Sequence, residues 1–498
     1  MARGPWLRIV SVNDVYALDH LPKLRSLVEA ARRDGPEVLL VTMAGDFLAP
    51  STLSSIDAGA GMIDCMNRVP ITHAALGNHE DDVSPADLRA RIGEFAGVWL
   101  ATNVLGLHPK TVPSQILSIG SEERRVRVGL IGVVMDDPTD YRDVPFVGAT
   151  VLPCNATAES AARHLVEEEG CDAIIALTHQ SIAKDRDLAR SPGAAHIPLI
   201  LGGHEHVPFD ETVGTTRILK AGTDATHAFI VDVVWPPVGA PRIDARLEAV
   251  AAFPDDPDLR VRVDLHARLV ADLKNATLMH LHEGTELSSV GSRRSQTSIG
   301  TLVCSRLRDA LSADAAILNG GAIRGGRTYT GRFTYADLQA EVPFENEVVV
   351  VAMPGRVLAD AILSSRRRLE TGGFLQVDDR VVVRDGEVLE VAGAPIEADR
   401  AYRVAVVRNL LDGMDHIEPL VAFARSVPMP SPGSGRGVKV VLVEAFSRAL
   451  LAELGGRAAL DKNRDGTVEP SEIAAALADA SRESASPITV DLLLRALR

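Results

Sequence analysis

Short apolar runs, mostly of β-branched residues and leucine, recur through the first two hundred residues, and a hard or borderline metal ligand stands after nearly every one. The runs are Trp6–Val12, Val38–Met43, Ile71–Leu76, Val126–Val134, Ala173–Thr178 and Ile197–Leu201. They read as buried strands. Helical patterns lie between some of them. Leu21–Arg33 has Pro22 early, apolar residues at Leu24, Leu27, Val28 and Ala31, and Gly35 after its end. Ala158–Glu169 follows Thr157, a capping candidate. Strand–helix alternation predicts a layered α/β domain. It closes near Ile230–Trp235, before the stretch Pro236–Pro241.

In α/β sheets, sites form at the carboxyl ends of strands. Asp14 follows the first run and Asp46 the second. Asn78 and His79 follow the third, His179 follows Ala173–Thr178, and His204 and His206 follow Ile197–Leu201. A single aspartate after a strand is usually a cap or turn residue, and a single histidine is usually surface or satisfied core. The joint pattern carries the metal reading. Mixed Asp/Asn/His sets suit zinc, manganese or iron. One bridging carboxylate and two ligand sets would hold two ions ~3.5–4 Å apart, the geometry for in-line attack on phosphorus.

Composition bounds the alternatives. The 498 residues are 46% hydrophobic and 24% charged, as in ordinary globular proteins, with room for two to four domains. The formal net charge of −15 argues against nucleic-acid polymers or anionic membranes as partners. An anionic substrate must therefore be received by local metals or cations. Cys65, Cys154, Cys171 and Cys304 are too dispersed for a disulfide framework, and no C-x-x-C pair is present. The N-terminal segment lacks a stretch resembling a signal peptide, and no run reaches the ~18 apolar residues of a membrane span. The expected localisation is cytoplasmic.

Residues from about 255 to 283 read as a bridging helix. A second α/β segment follows from Glu286, with a helix Ile299–Leu311, a strand Ala315–Leu318, and alternating segments around Val348–Met353, Val381–Leu389 and Tyr402–Val407. Pro428–Gly437 is a loop, and Val438–Leu454 reads as strand and then helix. The expected domains are 1–250, a linker helix 251–285, 286–455 and a tail 456–498.

The order Asn13-Asp14, Gly45-Asp46, Gly77-Asn78-His79-Glu80, Thr178-His179 and Gly203-His204-Glu205-His206 resembles the calcineurin-like metallophosphoesterase family. Further on, Asn319-Gly320-Gly321-Ala322-Ile323-Arg324, Phe333-Thr334-Tyr335-Ala336-Asp337 and Pro343-Phe344-Glu345-Asn346 resemble the C-terminal domain of 5′-nucleotidases. The resemblance implies a four-layer αββα catalytic domain, a separate α/β substrate-binding domain, and hydrolysis of a nucleotide-type phosphate monoester to nucleoside and phosphate. Carried over by position, Asp14, Asp46 and His206 would hold a first divalent ion, with Asp46 bridging, and Asn78, His179 and His204 a second. Two dications would lower the pKa of a shared water enough to give hydroxide at neutral pH. His79 would protonate or stabilise the leaving oxygen, and Asp82 would orient its ring. The family usually has histidine where Tyr16 stands. A neutral phenol is a poor ligand unless a strongly acidic metal ionises it. Either Tyr16 binds weakly, or His20 swings in, or the first site is one ligand short; the expectation is a weakened first site.

By the same resemblance Arg293 and Arg324 would meet the anionic part of the substrate, as arginine's fork suits phosphate oxygens. Phe344 would stack on a nucleobase, Asn346 would bond its edge, Gly373 would allow close backbone approach, and Asp415 would reach the ribose hydroxyls. Asn409 stands where a second aromatic is expected, and Ser289 where some members place another arginine. A one-sided stack forgoes some of the ~1–3 kcal/mol that aromatic stacking gives a base.

In the tail, Asp461-Lys462-Asn463-Arg464-Asp465-Gly466-Thr467-Val468-Glu469-Pro470-Ser471-Glu472 fits the EF-hand calcium loop. Asp461, Asn463, Asp465 and Glu472 would supply side-chain oxygens, Thr467 its carbonyl, and Glu469 would act through water. The tail is expected to be small and helical. Ser481–Leu497 reads either as a partner hand without ligands or as a plain terminal helix. The leading function is a two-metal phosphohydrolase acting on a small phosphorylated substrate, a nucleotide. The alternatives are a phosphatase or phosphodiesterase for another small phosphorylated metabolite, and a calcium-sensing binding protein without catalysis.

Overall fold

A computed structural model describes residues 4–141, 145–273, 276–344, 346–367, 372–430, 434–460, 462, 468 and 470–481. The chain divides into two compact units, Met1–Ala267 and Arg268–Arg498. The division falls inside the helix Pro257–Leu273.

The first unit is built on two sheets. One has seven strands in the order Arg242–Ala249, His227–Val234, Trp6–Val12, Val38–Ala44, His73–Ala75, Val98–Leu100 and Thr111–Val112. The other has six, in the order Phe209–Val213, Thr216–Lys220, Leu199–Gly203, Ala173–His179, Arg124–Val134 and Ser114–Ser121. Their central strands are parallel. Strand alternation sends one set of side chains inward: Leu7, Ile9 and Leu40 meet Leu130, Ile175 and Leu201 between the sheets. The opposite sets pack against helices. Val10, Val41 and Met43 face Leu24, Leu27 and Val28 of the helix Leu21–Arg33. Ile131, Ile174 and Ile200 face Ala158, Ala162 and Leu165 of the helix Cys154–Glu167. These are the four αββα layers that the sequence implies. Each fully buried leucine or isoleucine contributes ~1.5–3 kcal/mol relative to exposure.

Two local readings are corrected. The second helix begins at Cys154 after Pro153, without a side-chain cap, so Thr157 lies inside its first turn rather than at its N-cap. The bridging helix is described over Pro257–Leu273, and Thr277–His280 is instead a strand paired with Arg332–Thr334.

The second unit centres on a five-stranded sheet in the order Leu375–Val377, Ala315–Asn319, Ala401–Val407, Glu347–Pro354 and Arg436–Gly437. The helix Ser298–Ala310, capped by Thr297 Oγ1 accepting from Gly300 N, leads into its strand Ala315–Asn319. A third reading fails here. Val438–Glu453 is one helix, with every residue from Val438 to Val443 buried. A short continuous apolar run looks alike in a buried strand and in a helix buried all round, and periodicity alone does not separate them.

The tail is helical where it is described, at Gly456–Leu460 and Pro470–Ser481. Gly455 and Gly456 follow the helix Val438–Glu453, and the described part of the tail packs on its end: Leu460, Val468 and Ile473 meet Leu450, Leu451 and Leu454. Glu472 Oε1 accepts from Lys462 N at 2.9 Å. The other proposed calcium ligands, Asp461, Asn463, Asp465, Thr467 and Glu469, lie outside the described residues, as does nearly all of the partner-hand segment. No described helix is long and apolar enough to cross a membrane.

Candidate active site

Parallel strands in register deliver the polar residues to one edge of the first unit. Val12 pairs with Met43, Ala44 with Ala75, and His179 with Gly203, so the turns carrying Asp14, Asp46, Asn78 and His204 leave the sheets at matching levels. The backbone is folded sharply there: φ is 53° at Asp14, 56° at Asp46 and 83° at His204. Aspartate enters the left-handed region readily and histidine less so; such strain clusters at functional sites. A Cβ at Gly77 would lie 2.1 Å from Asp46 Oδ1, and one at Gly203 would lie 2.2 Å from the Ala44 carbonyl. Only glycine lets these turns approach so closely.

Ligating atoms of Asp14, Asp46 and His179, all buried, lie within 4.8 Å of one another. Asp14 Oδ2 accepts from Asn13 Nδ2 at 2.6 Å and from His204 N at 2.9 Å. Asp46 Oδ1 accepts from His79 N at 2.9 Å. His179 donates through Nδ1 to the Ala44 carbonyl at 2.7 Å, which turns Nε2 into the site. That Nε2 is 3.0 Å from Asp46 Oδ2, yet it is not aligned for a hydrogen bond. His206 Nε2 is 3.4 Å from Asp14 Oδ1.

Among the described residues, three buried polar atoms here have no hydrogen-bond partner: Asn78 Oδ1, His179 Nε2 and His204 Nδ1. An orphaned buried acceptor is costly and rare. An oxygen and two imidazole nitrogens, beside two buried carboxylates, are a donor set that a divalent transition ion satisfies. The residues therefore fit a metal.

The electrostatics agree. Burial pushes the Asp46 carboxyl up, but the His179 and His79 imidazoles outweigh it and hold Asp46 below the usual carboxylate range. Burial alone would lower His179; Asp46 and Asp14 overcome it and carry its pKa up to about 9. His204 moves the other way, well below the ordinary imidazole value, through burial and the neighbouring His179. A cation would take the place of the proton that this negative cluster draws to His179.

The Tyr16 hydroxyl sits among three candidate ligands, 3.3 Å from Asp14 Oδ1, 3.3 Å from Asp46 Oδ2 and 3.2 Å from His206 Nε2. Burial, then Asp46 and Asp14, raise its pKa well above the ordinary phenol value. His20 is engaged elsewhere, with Nδ1 2.9 Å from the Asp224 carbonyl oxygen. Of the alternatives in the sequence, Tyr16 rather than His20 meets the carboxylates. His79 is buried, and its Nδ1–H donates to Asp82 Oδ2 at 2.8 Å, as the three-residue spacing implies.

Two holding residues escaped the sequence reading. Glu80 is fully buried; its carboxylate accepts from the amides of Asp46 (2.8 Å), Phe47 (2.8 Å), Leu48 (3.0 Å) and Gly77 (2.6 Å). It ties the Asp46 turn to the Asn78 turn. Asp224 Oδ1 accepts from Tyr16 N at 2.9 Å and Ala17 N at 3.1 Å, fixing the Asp14 turn. Glu80 was visible within its motif; Asp224 has no local signal. A second group, Asp64, Cys65 and His266, also has ligand-type atoms close together. Arg262, His266 and Arg68 already occupy the Asp64 carboxylate, and burial, then Asp64, push the Cys65 thiol up to about 12. It is a salt-bridge cluster.

In the second unit, Arg324 is exposed and its guanidinium lies 5.1 Å from the centroid of the Phe344 ring. Gly321 N donates to the Gly372 carbonyl at 2.8 Å, and Asn319 Nδ2 donates to Asp415 Oδ2 at 2.7 Å. A Cβ at Gly320 would lie 3.2 Å from Arg293 Cα, so the loop of Arg293 abuts the same glycine turn. Gly373 lies beside Gly372 in this turn region, while Asn409 is exposed on the short helix Arg408–Leu411. No hydrogen bond or ring contact among the described residues joins the Asn346 side chain to the others. Ser289 is buried, and its hydroxyl donates to Glu341 Oε1 at 2.8 Å. Gln376 was not singled out from the sequence. It is buried, donates to the carbonyls of Ser292 and Ser295 at 2.7 Å each, and braces the Arg293 loop.

Both units resemble known proteins. Residues 7–208 match the calcineurin-like phosphoesterase family, and residues 274–422 match the 5′-nucleotidase C-terminal domain. The chain is 26% identical over 425 residues to the trifunctional nucleotide phosphoesterase protein YfkN of Bacillus subtilis, covering 74% of this chain and 28% of that one. It therefore spans under a third of that relative. It is 23% identical to protein UshA of Yersinia enterocolitica, covering 78% of this chain and 80% of the relative. In fold it is similar to the NAD nucleotidase of Haemophilus influenzae, with a TM-score of 0.72, 16% identity, and coverage of 91% of this chain and 97% of that one. The chain thus carries a calcineurin-like phosphoesterase domain, whose buried side chains suit a metal, followed by a 5′-nucleotidase C-terminal domain.

Proposed function

We propose that the protein hydrolyses the phosphate monoester of a small nucleotide, releasing nucleoside and phosphate, with two divalent ions of zinc, manganese or iron. Asp14, Asp46 and His206 would hold one ion, with Tyr16 at most a weak fourth ligand. Asp46, Asn78, His179 and His204 would hold the other. The observation that carries this reading is the orphaned trio Asn78 Oδ1, His179 Nε2 and His204 Nδ1 beside the Asp14–Asp46 pair. When bound, the ions supply positive charge against the phosphoryl oxygens and acidify a nucleophilic water.

The chain's own residues do the rest. Asp82 accepts the Nδ1–H of His79, which fixes the ring so that an imidazolium would present Nε2–H to the substrate. Nε2–H is then the donor that passes a proton to the departing ester oxygen, so a neutral hydroxyl leaves instead of an alkoxide. Glu80 keeps the Asp46 and Asn78 turns in place through four amide bonds, without moving a proton itself. In the second unit, Arg293 and Arg324 bind substrate oxygens. Phe344 stacks on the base, Asn346 bonds the base edge, the Gly373 backbone approaches the ligand, and Asp415 takes the ribose hydroxyls. The tail loop, Asp461 to Glu472, binds one calcium ion. Two features are consistent with this: Glu472 is turned toward the amide at Lys462, and Val468 is buried against Ile473.

A phosphate-release screen over nucleotides, sugar nucleotides and phosphosugars, with chelated protein and added Mn²⁺ or Zn²⁺, tests the reading. Release from a nucleotide that depends on added metal supports it. Release that persists after exhaustive chelation contradicts it.

A further inference from the structure

Lys220 ends the strand Thr216–Lys220, opposite Gly202 in the parallel register, and its side chain is fully buried. Its ammonium donates to the carbonyls of Gln180 at 2.8 Å and Gly203 at 2.7 Å, and to Glu205 Oε2. It also lies 2.8 Å from Asp185 Oδ2. Asp185 Oδ1 accepts from Thr178 Oγ1 at 2.8 Å and from Gln180 Nε2 at 3.0 Å. Glu205 Oε1 accepts from Ile182 N at 2.6 Å. Most of these ties land beside a candidate metal ligand. Thr178 and Gln180 flank His179, Gly203 precedes His204, and Glu205 separates His204 from His206.

Stability alone does not call for such a network. An ion pair buried in a core is often no more stabilising than apolar side chains of the same volume. What an ammonium adds is direction: its few donors fix the turns that hold the carbonyls they meet. Groups that orient metal ligands from outside the coordination sphere commonly set affinity. We infer that Lys220, through Asp185 and Glu205, is a positioning residue that presents His179, His204 and His206 to the metal. The inference rests on the proposed role of those histidines as ligands.

The test is Co²⁺ titration of the metal-stripped full-length protein, followed by the visible band of the bound ion, whose intensity reports coordination geometry. Lys220→Met is expected to weaken Co²⁺ binding by ~10–100-fold and to change the band, as loss of an outer-shell partner does. Glu205→Gln, a milder change at a partly exposed residue, should weaken binding several-fold at an unchanged melting temperature. Leu130→Ala, in the core between the sheets, serves as a control: it should lower the melting temperature and leave Co²⁺ affinity and band untouched. Wild-type affinity and band in Lys220→Met overturn the inference. So does an affinity loss that Leu130→Ala reproduces. If Lys220→Met does not fold, unchanged binding by Glu205→Gln overturns it. A His204→Ala protein that binds Co²⁺ like the wild type removes the ligand assignment itself, whatever Lys220 does.

Discussion

The two units hold their candidate functional residues in opposite ways. In the first, Asp14, Asp46, His79 and His179 are all buried, and each is fixed by a bond from a different turn or strand. In the second, Arg324 is exposed and Phe344 is 42% exposed, with the Arg324 guanidinium 5.1 Å from the Phe344 ring. The difference follows from what each must do. Buried carboxylates and imidazoles are costly unless every neighbour is compensating, so the chemistry comes with a dense scaffold and little freedom to change. Residues that meet a ligand from solvent need no such scaffold. The comparison teaches that damage to the first unit should be general across substrates, whereas damage to the second should discriminate among them.

The largest effect is expected at Asp46, which faces both ligand sets. Asp46→Asn should reduce phosphate release from every substrate by ~10³-fold or more, since a metal supplies several kcal/mol of transition-state stabilisation. Metal analysis of the purified variant should show lost ions. A normal metal content would assign Asp46 another role.

Next comes His79→Asn, expected to lower kcat by ~10²-fold or more through loss of the proton donor. Here metal content should stay at the wild-type level. If ions are lost, His79 is a ligand and the assignment is wrong.

The second unit supplies the sharper contrast. Arg324→Ala should raise KM about 10-fold for all phosphorylated substrates, as loss of a charged hydrogen bond worth ~1.5–3 kcal/mol implies. Phe344→Ala should cost nucleotides ~1–3 kcal/mol of stacking and leave sugar phosphates nearly unaffected. Steady-state kinetics on both substrate classes decide it. Equal damage to the two classes would break the comparison and remove base recognition from Phe344.

The smallest effect is at Tyr16. Tyr16→His replaces a phenol of raised pKa by an imidazole, a good neutral ligand at pH 7. Metal affinity should rise several-fold by calorimetry. Equal or weaker affinity would mean that Tyr16 already serves as a ligand.

Much of this was legible in the sequence because its signals are local. Leu21–Arg33 is helical over the range its apolar spacing marks, and a strand precedes each expected ligand turn. The His79–Asp82 bond follows from a three-residue spacing. What stayed hidden depends on partners distant in the chain. Asp224 acts on Tyr16, and Lys220 on Gln180 and Gly203, only after the sheets form. The misread Val438–Val443 has a different cause: a helix buried on all sides erases the periodicity that would reveal it.

Titrating Mn²⁺ into chelated protein, with phosphate release from a nucleotide and bound metal followed together, is the most direct test of the central claim. The account predicts no release without metal and full activity on saturation at two ions per chain. Full activity in the metal-free protein, or at a single bound ion, would contradict it.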